Sequence, residues 1–250
     1  MGDPATQLFT DIPQRIDIEH PDYLRVGESH VEIQVFADGG DETMPGARVC
    51  LYKADEFQVV KYSDDAGRVV FDLDPEWTGD GTVKLTVTGH NLFPYSDNLR
   101  IRQAETFLAA GNFSIDDDDE GDSRGDGDGT ANPTERIELT ISIENFGEDV
   151  PDGQVSLILT PSLPNLEVVQ GEVELENAPA AGESEDVLFV VDIGGGFPDE
   201  QHAIFNLECS VGEENWLSSV SLPLAGPEFD FVSVRWRSVP LRPAGVADLR

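Results

Sequence analysis

Along "RIELTISIENF" (Arg136 to Phe146) apolar and polar residues alternate one for one. Ile137, Leu139, Ile141 and Ile143 fall on one side, Glu138, Thr140 and Ser142 on the other. Side chains of a strand point to opposite faces with a period of two, so this pattern buries one face of a sheet and wets the other. An α-helix would scatter the same residues around its axis. Comparable runs recur about every ten residues, divided by Gly, Pro, Asp and Asn, and helical periodicity is almost absent. The first half predicts strands at "RIDIEH", "HVEIQVF", "ARVCLYK", "FQVVKY", "RVVFDL", "TVKLTVTGH" and "NLRIRQ". The second predicts them at "FLAAGNFSI", "RIELTISIENF", "GQVSLILT", "LEVVQGEVELE", "EDVLFVVDI", "HAIFNLECSV" and "WLSSVSLPL". "DDAG" (Asp64 to Gly67) reads as a hairpin turn with Gly67 at positive φ, and "PEWTGDG" as a turn where Trp77 covers a sandwich end. The expected fold class is all-β: two tandem immunoglobulin-like β-sandwich domains over residues 1–104 and 105–224, with a C-terminal strand and tail over 225–250.

The 250 residues are 39% hydrophobic, with 13 Phe and three Trp, enough to build cores and so to exclude a globally disordered chain. Fifty acids against 15 bases leave a net charge of −35, which argues against nucleic-acid binding and against attraction to anionic membranes. Lys53, Lys61 and Lys84 are the only lysines. Acid excess with scarce lysine suits high salt, or surroundings where divalent cations offset the charge. Cys50 and Cys209 sit far apart on apolar runs and read as buried free thiols rather than a disulfide. "GDPATQLFT" after Met1 has neither the basic start nor the apolar core of a leader, so a secreted protein would carry its leader upstream of this segment.

Several segments in order resemble one family. "GDPATQLFTDIP" is similar to the exit from the catalytic domain of gingipain-type cysteine peptidases, with Phe9-Thr10 in place of the commoner Trp-Thr. "GARVCLYKADEFQVVKYSDDAGRVVFDL" and "GTVKLTVTGHNLFPYSDNLRI" resemble the immunoglobulin-like domain that follows, "LTVTGHN…PY" being the most specific part. The second half resembles a repeat found downstream, which opens on an acidic, glycine-rich loop ending in Asn-Pro-Gly-Glu; Thr134 stands where that glycine would be. The resemblance implies a secreted or cell-surface protein of bacterial type. It also implies that the nucleophilic cysteine and its histidine lie upstream, before "GDP".

Within this chain no catalytic constellation is legible. Cys50 lies in an alternating strand with no His, Asn or Asp within a few residues to lower its pKa, and His20, His30, His90 and His202 are scattered. The signatures G-x-S-x-G and H-E-x-x-H are absent. His90 and Asn91 are expected to hydrogen-bond the backbone of a bend while Phe93, Pro94 and Tyr95 cap the core. Trp216 and Trp236 read as packing.

The stretch "SIDDDDEGDSRGDGDGTANPTERIEL", from Ser114, reads either as a solvated acidic turn or as a calcium loop. A calcium loop of the EF type alternates carboxylates, turns on a glycine at its sixth position and closes with a glutamate at its twelfth. With Asp128 as the fifth position, Asp126 is the third, Gly129 the sixth, Thr130 the seventh through its carbonyl, Asn132 the ninth and Glu135 the twelfth. Arg124 occupies the first and cannot coordinate a cation. Asp122, or the run Asp116 to Asp119 with Asp117 in it, is expected to supply the missing oxygen by folding back. Nine acids between Asp116 and Glu135 repel one another without an ion, so calcium is expected to order the junction and fix the second sandwich on the first.

The expected function is a non-catalytic, calcium-stabilised accessory region of a gingipain-like peptidase, with the peptidase domain or surface proteins as partners. The alternative is a stand-alone adhesive or filament-forming protein, which exchanges strands through its sheet edges or the "FDFVSVRW" tail.

Overall fold

The computed structural model describes residues 10–74, 79, 81–197 and 201–225. Trp77, Trp236 and the tail strand lie outside them. The first unit contains β1 (Ile16–Glu19), β2 (Tyr23–Arg25), β3 (His30–Ala37), β4 (Arg48–Lys53), β5 (Phe57–Tyr62), β6 (Arg68–Asp72), β7 (Thr82–Thr88) and β8 (Tyr95–Arg102). One sheet has the order β1-β3-β6 and the other β2-β8-β7-β4-β5. The second unit contains β9 (Leu108–Asp116), β10 (Arg136–Asn145), β11 (Val155–Pro161), β12 (Leu166–Gln170), β13 (Glu172–Leu175), β14 (Ser184–Ile193), β15 (His202–Val211) and β16 (Glu214–Pro223). Its sheets run β12-β14-β10-β9 and β13-β11-β15-β16.

These orders are immunoglobulin connectivity. Naming β9, β10, β11, β12, β14, β15 and β16 as A to G gives A-B-E-D in one sheet and C-F-G in the other, with β13 added beside C. The first unit places β1, β3 and β6 as A-B-E. It adds β2 parallel to the last strand and β5 beside C. All pairings but that of β2 with β8 are antiparallel between named strands.

Alternation delivers the cores. In β10, Ile137, Leu139, Ile141 and Ile143 are all fully buried while their neighbours are half-exposed. They join Phe189, Phe205, Leu207 and Cys209 in the second core; Val31, Ile33, Val35, Leu51, Phe71 and Leu85 build the first. Burying each such side chain stabilises the fold by about 1.5–3 kcal/mol before entropy is counted.

The structure corrects four sequence readings. "DDAG" is not a hairpin: β5 pairs with β4 and β6 with β3, so the turn carries the chain between sheets. Gly67 does take positive φ (75°), and Asp64 Oδ1 accepts the N–H groups of Ala66 and Arg68. "LEVVQGEVELE" is two strands in opposite sheets, because at Gly171 the chain passes close by the Leu159 carbonyl, where any Cβ would collide. Tyr23–Arg25 is a strand too short to show a period. Phe93 does not cap the core: it is half-exposed, and Leu92 turns inward instead.

The two sandwiches meet along a seam of specific contacts. Ser29 Oγ accepts the Ser219 N–H (3.0 Å), and the Ser219 hydroxyl pairs with His30 Nδ1 (2.9 Å). Gly27, at φ 80°, lies so close under the Phe146 ring that a Cβ would overlap it. Gln103 donates its amide to the Phe146 carbonyl, and the Arg25 guanidinium stands 5.2 Å from the Phe107 ring centre.

Candidate metal centre

The loop from the end of β9 to the start of β10 folds around one side chain. Asp117, the residue just after β9, is buried to 2% exposure. Its Oδ1 accepts the Gly129 N–H (2.9 Å) and its backbone carbonyl accepts the Gly127 N–H (3.3 Å). At Gly125 a Cβ would strike that carbonyl, while Gly127 and Gly129 take φ values of 75° and 78° that glycine adopts freely. The alternating glycines of "GDGDG" therefore let the chain close over Asp117.

That closure brings together three carboxylates. One oxygen each from Asp117, Asp126 and Glu135 lies within 4.8 Å of the others. Glu135 Oε2 also accepts the Asn132 N–H (3.0 Å), and its carbonyl accepts from Ile193 (2.8 Å), so the start of β10 fixes its place. Burial first, and then the Asp126 and Asp117 charges, hold the Glu135 carboxyl above its ordinary pKa, against the opposing Asn132 hydrogen bond. Among the described residues no basic side chain forms an ion pair with the three.

The remaining sequence candidates are placed differently, and the EF register does not describe the loop. Asp128 lies outside the cluster and its Oδ1 caps the Thr130 N–H (2.7 Å). The Thr130 carbonyl accepts from the Asn132 amide (3.0 Å), so a local turn uses both of those candidates. Asp122 is exposed, its N–H bonded to Glu138 Oε1 (2.6 Å). Arg124 forms a backbone bridge with Arg136 and turns its guanidinium to the Gly121 and Ser123 carbonyls. Asp117 enters from outside the twelve-residue window.

A further correction concerns the junction. The bonds that the loop makes outside itself go to the second sandwich among the described residues: Thr134 to Ile193, Ala131 to Ala225, Asp122 to Glu138. The seam lies at the other end of β9 and β10, by Phe107 and Phe146. A nine-residue strand spans about 30 Å, so an ion in this loop would brace the second sandwich and not its joint with the first. Thr134 has φ 80°, the left-handed region that a β-branched residue rarely enters, at the position where the resembling repeat has glycine.

Outside the loop, His30 Nε2 is buried without a partner among the described residues, while the cysteines and the other histidines are held in ordinary structure. Cys209 is buried, which pushes its thiol up to about 12; Cys50 is buried as well, and both are free. His20 bonds Tyr95 and the Pro21 carbonyl, His90 bonds Thr10, and His202 bonds Ser221. The seam residues Ser29, His30 and Ser219 were not legible, since no local pattern marks a contact across 190 residues.

No protein-family model matches the chain, and no curated protein matches it. Solved structures do align at low similarity. Native Escherichia coli alpha-2-macroglobulin aligns at 12% identity and a TM-score of 0.33 over 85% of this chain. The chain spans 17% of that protein's length. The D0–D1 domain of Intimin aligns at 10% identity and a TM-score of 0.26, over 82% of this chain and 97% of its own. The tandem Ig repeats of Dlar align at 9% and 0.31, over 87% and 100%. The chain is a tandem of immunoglobulin-like sandwiches. That assignment rests on strand connectivity, not on these likenesses.

Proposed function

We propose that this chain is a non-catalytic accessory region of a secreted or cell-surface peptidase of gingipain type, holding an upstream unit in fixed orientation. The observation that carries this reading is how the chain enters the first sandwich. Asn91, at φ 56°, accepts the N–H groups of Thr10 (2.8 Å) and Asp11 (3.3 Å), while His90 bonds the Thr10 hydroxyl (2.8 Å). Gln14 then exchanges backbone bonds with Asn91 and Phe93. The "TGHN" bend and the "TDIP" entry, each within a segment that resembles the peptidase family, thus clasp each other. Beside the clasp Ile12 is 83% exposed and Phe93 50% exposed. An upstream unit seated there would cover both, and the seam beyond would transmit its position to the second sandwich.

The test uses the chain joined to its own upstream sequence. Ile12→Asp with Phe93→Asp should lower the melting temperature of the upstream unit and leave that of the two sandwiches unchanged. An upstream unit that melts identically in the double variant sinks the docking reading. If light scattering then finds polymers of the chain alone, the adhesive, strand-exchanging alternative takes its place.

A further inference from the structure

Asp117 combines two properties that conflict unless something else is bound. It is almost wholly buried, and its Oδ2 accepts no hydrogen bond from any described residue. A buried carboxylate oxygen without a donor is strongly unfavourable, and native folds provide such groups with a partner or a cation. Here the carboxyl group faces Asp126 and Glu135, two further acids, so its nearest neighbours add repulsion. The base nearest in sequence, Arg124, points to backbone carbonyls, and Arg136 is committed to Asp192 at 2.6 and 2.8 Å. The loop spends three glycines to bring these acids together, which simple solvation of an acidic turn does not require.

We propose that Asp117, Asp126 and Glu135 form a calcium site at the distal end of the second sandwich. The donors are all carboxylate oxygens, with no nitrogen or sulfur, which suits a hard cation and disfavours zinc or copper. Between the two common hard ions the coordination habit favours calcium: Mg²⁺ demands a near-ideal octahedron and keeps several of its own waters, whereas Ca²⁺ takes several protein carboxylates in a flexible shell, as three acids gathered on one loop offer. Asp126 itself is exposed, as are Asp119 and Asp128 nearby, so water has access to complete the shell. The ion cancels the repulsion at Glu135 and gives Asp117 Oδ2 a partner. It thereby ties the end of β9 (through Asp117) to the start of β10 (through Glu135). This proposal stands apart from the accessory-region reading, since it needs neither an upstream unit nor a peptidase.

The experiment is calorimetric titration of the chain with CaCl₂ and, separately, MgCl₂ after chelation, with thermal unfolding alongside. One calcium per chain is expected to bind, with a Kd on the order of 10⁻⁴ M as in extracellular modules, and to raise the melting temperature by several degrees. Asp117→Asn and Glu135→Gln should each weaken binding at least tenfold. Asp117→Asn should fold without calcium at least as stably as the original chain, because it removes the unpartnered charge. Asp119→Asn, an equal change of charge on an exposed member of the same run, should leave binding unchanged. The proposal is overturned if magnesium binds as tightly, if no saturable site appears, or if Asp119→Asn weakens calcium as much as Asp117→Asn does.

Discussion

The β9–β10 pair has very different chemistry at its two ends. By Phe107 and Phe146 the seam is built on hydrogen bonds and ring contacts: Ser29, Ser219 and His30 bond one another through His30 Nδ1, with Nε2 left unpartnered among the described residues, and Gly27 admits the Phe146 ring. By Asp117 and Glu135 the loop is anionic and holds a buried carboxylate oxygen that no described residue donates to. The seam is closed by contacts between mostly uncharged groups, whereas the loop gathers three carboxylates with no base paired to them among the described residues. Two joints of one strand pair should therefore respond to different variables, the seam to shape and the loop to ions.

The largest expected effect is at the seam. Gly27→Ala meets both the strain of positive φ and the Phe146 ring, and should cost about 3 kcal/mol, splitting one unfolding transition into two in calorimetry. Gly39→Ala, also at positive φ but with open space around it, should cost about 1 kcal/mol and leave a single transition. A single transition in Gly27→Ala would show that the sandwiches do not depend on this contact.

Next comes Asn145, fully buried at the end of β10. It accepts the Gly147 N–H and donates to the Asp149 and Pro179 carbonyls. Asn145→Ala leaves those groups unpaired and should cost about 2 kcal/mol by urea unfolding. A loss below about half of that would mean that water replaces the amide.

A pH titration separates the two ends further. Burial lowers the pKa of His30, with Asp72 and Glu32 pulling it up and Arg68 and Lys61 pushing it down. The folded state therefore resists protonation. The contribution of neutral His30 is full above its ordinary pKa of about 6.5 and is lost as pH falls through that value toward the lowered one. His30→Gln should flatten this part of the stability profile, measured against the original chain between pH 8 and 5. Equal slopes in both proteins would remove His30 from the account.

The smallest effect lies on the loop side. Thr134→Gly relieves the positive φ at the cost of chain entropy, and should raise stability by about 0.5–1 kcal/mol. A lower melting temperature would show that the threonine side chain contributes more than its backbone strain removes.

Much of the fold was legible because burial on one face imprints a period of two. β10 reads correctly from its first residue to within one of its last for that reason. The same rule is silent on which sheet a strand joins, so "LEVVQGEVELE" looked continuous although Gly171 sends its halves to opposite sheets, and "DDAG" looked like a hairpin. Tyr23–Arg25 is held by pairing with β8, which three residues cannot announce. In the acidic loop the spacing singled out Asp126 and Glu135, and the aspartate run behind them included Asp117. Spacing could not show that Asp128, Thr130 and Asn132 satisfy one another within a turn, because that depends on where glycine bends the backbone.

The parallel pairing of β2 with β8 bears on how the first sandwich would respond to force. β2 lies near the start of the first sandwich and β8 ends it, so tension applied at the two ends of the unit pulls these strands past each other. Tyr23, Leu24 and Arg25 stand opposite Arg100, Ile101 and Arg102, and their hydrogen bonds are strained together in shear rather than opened singly from one end. Stretching the unit between Tyr23 and Arg102 would therefore be resisted through that short patch of three residue pairs.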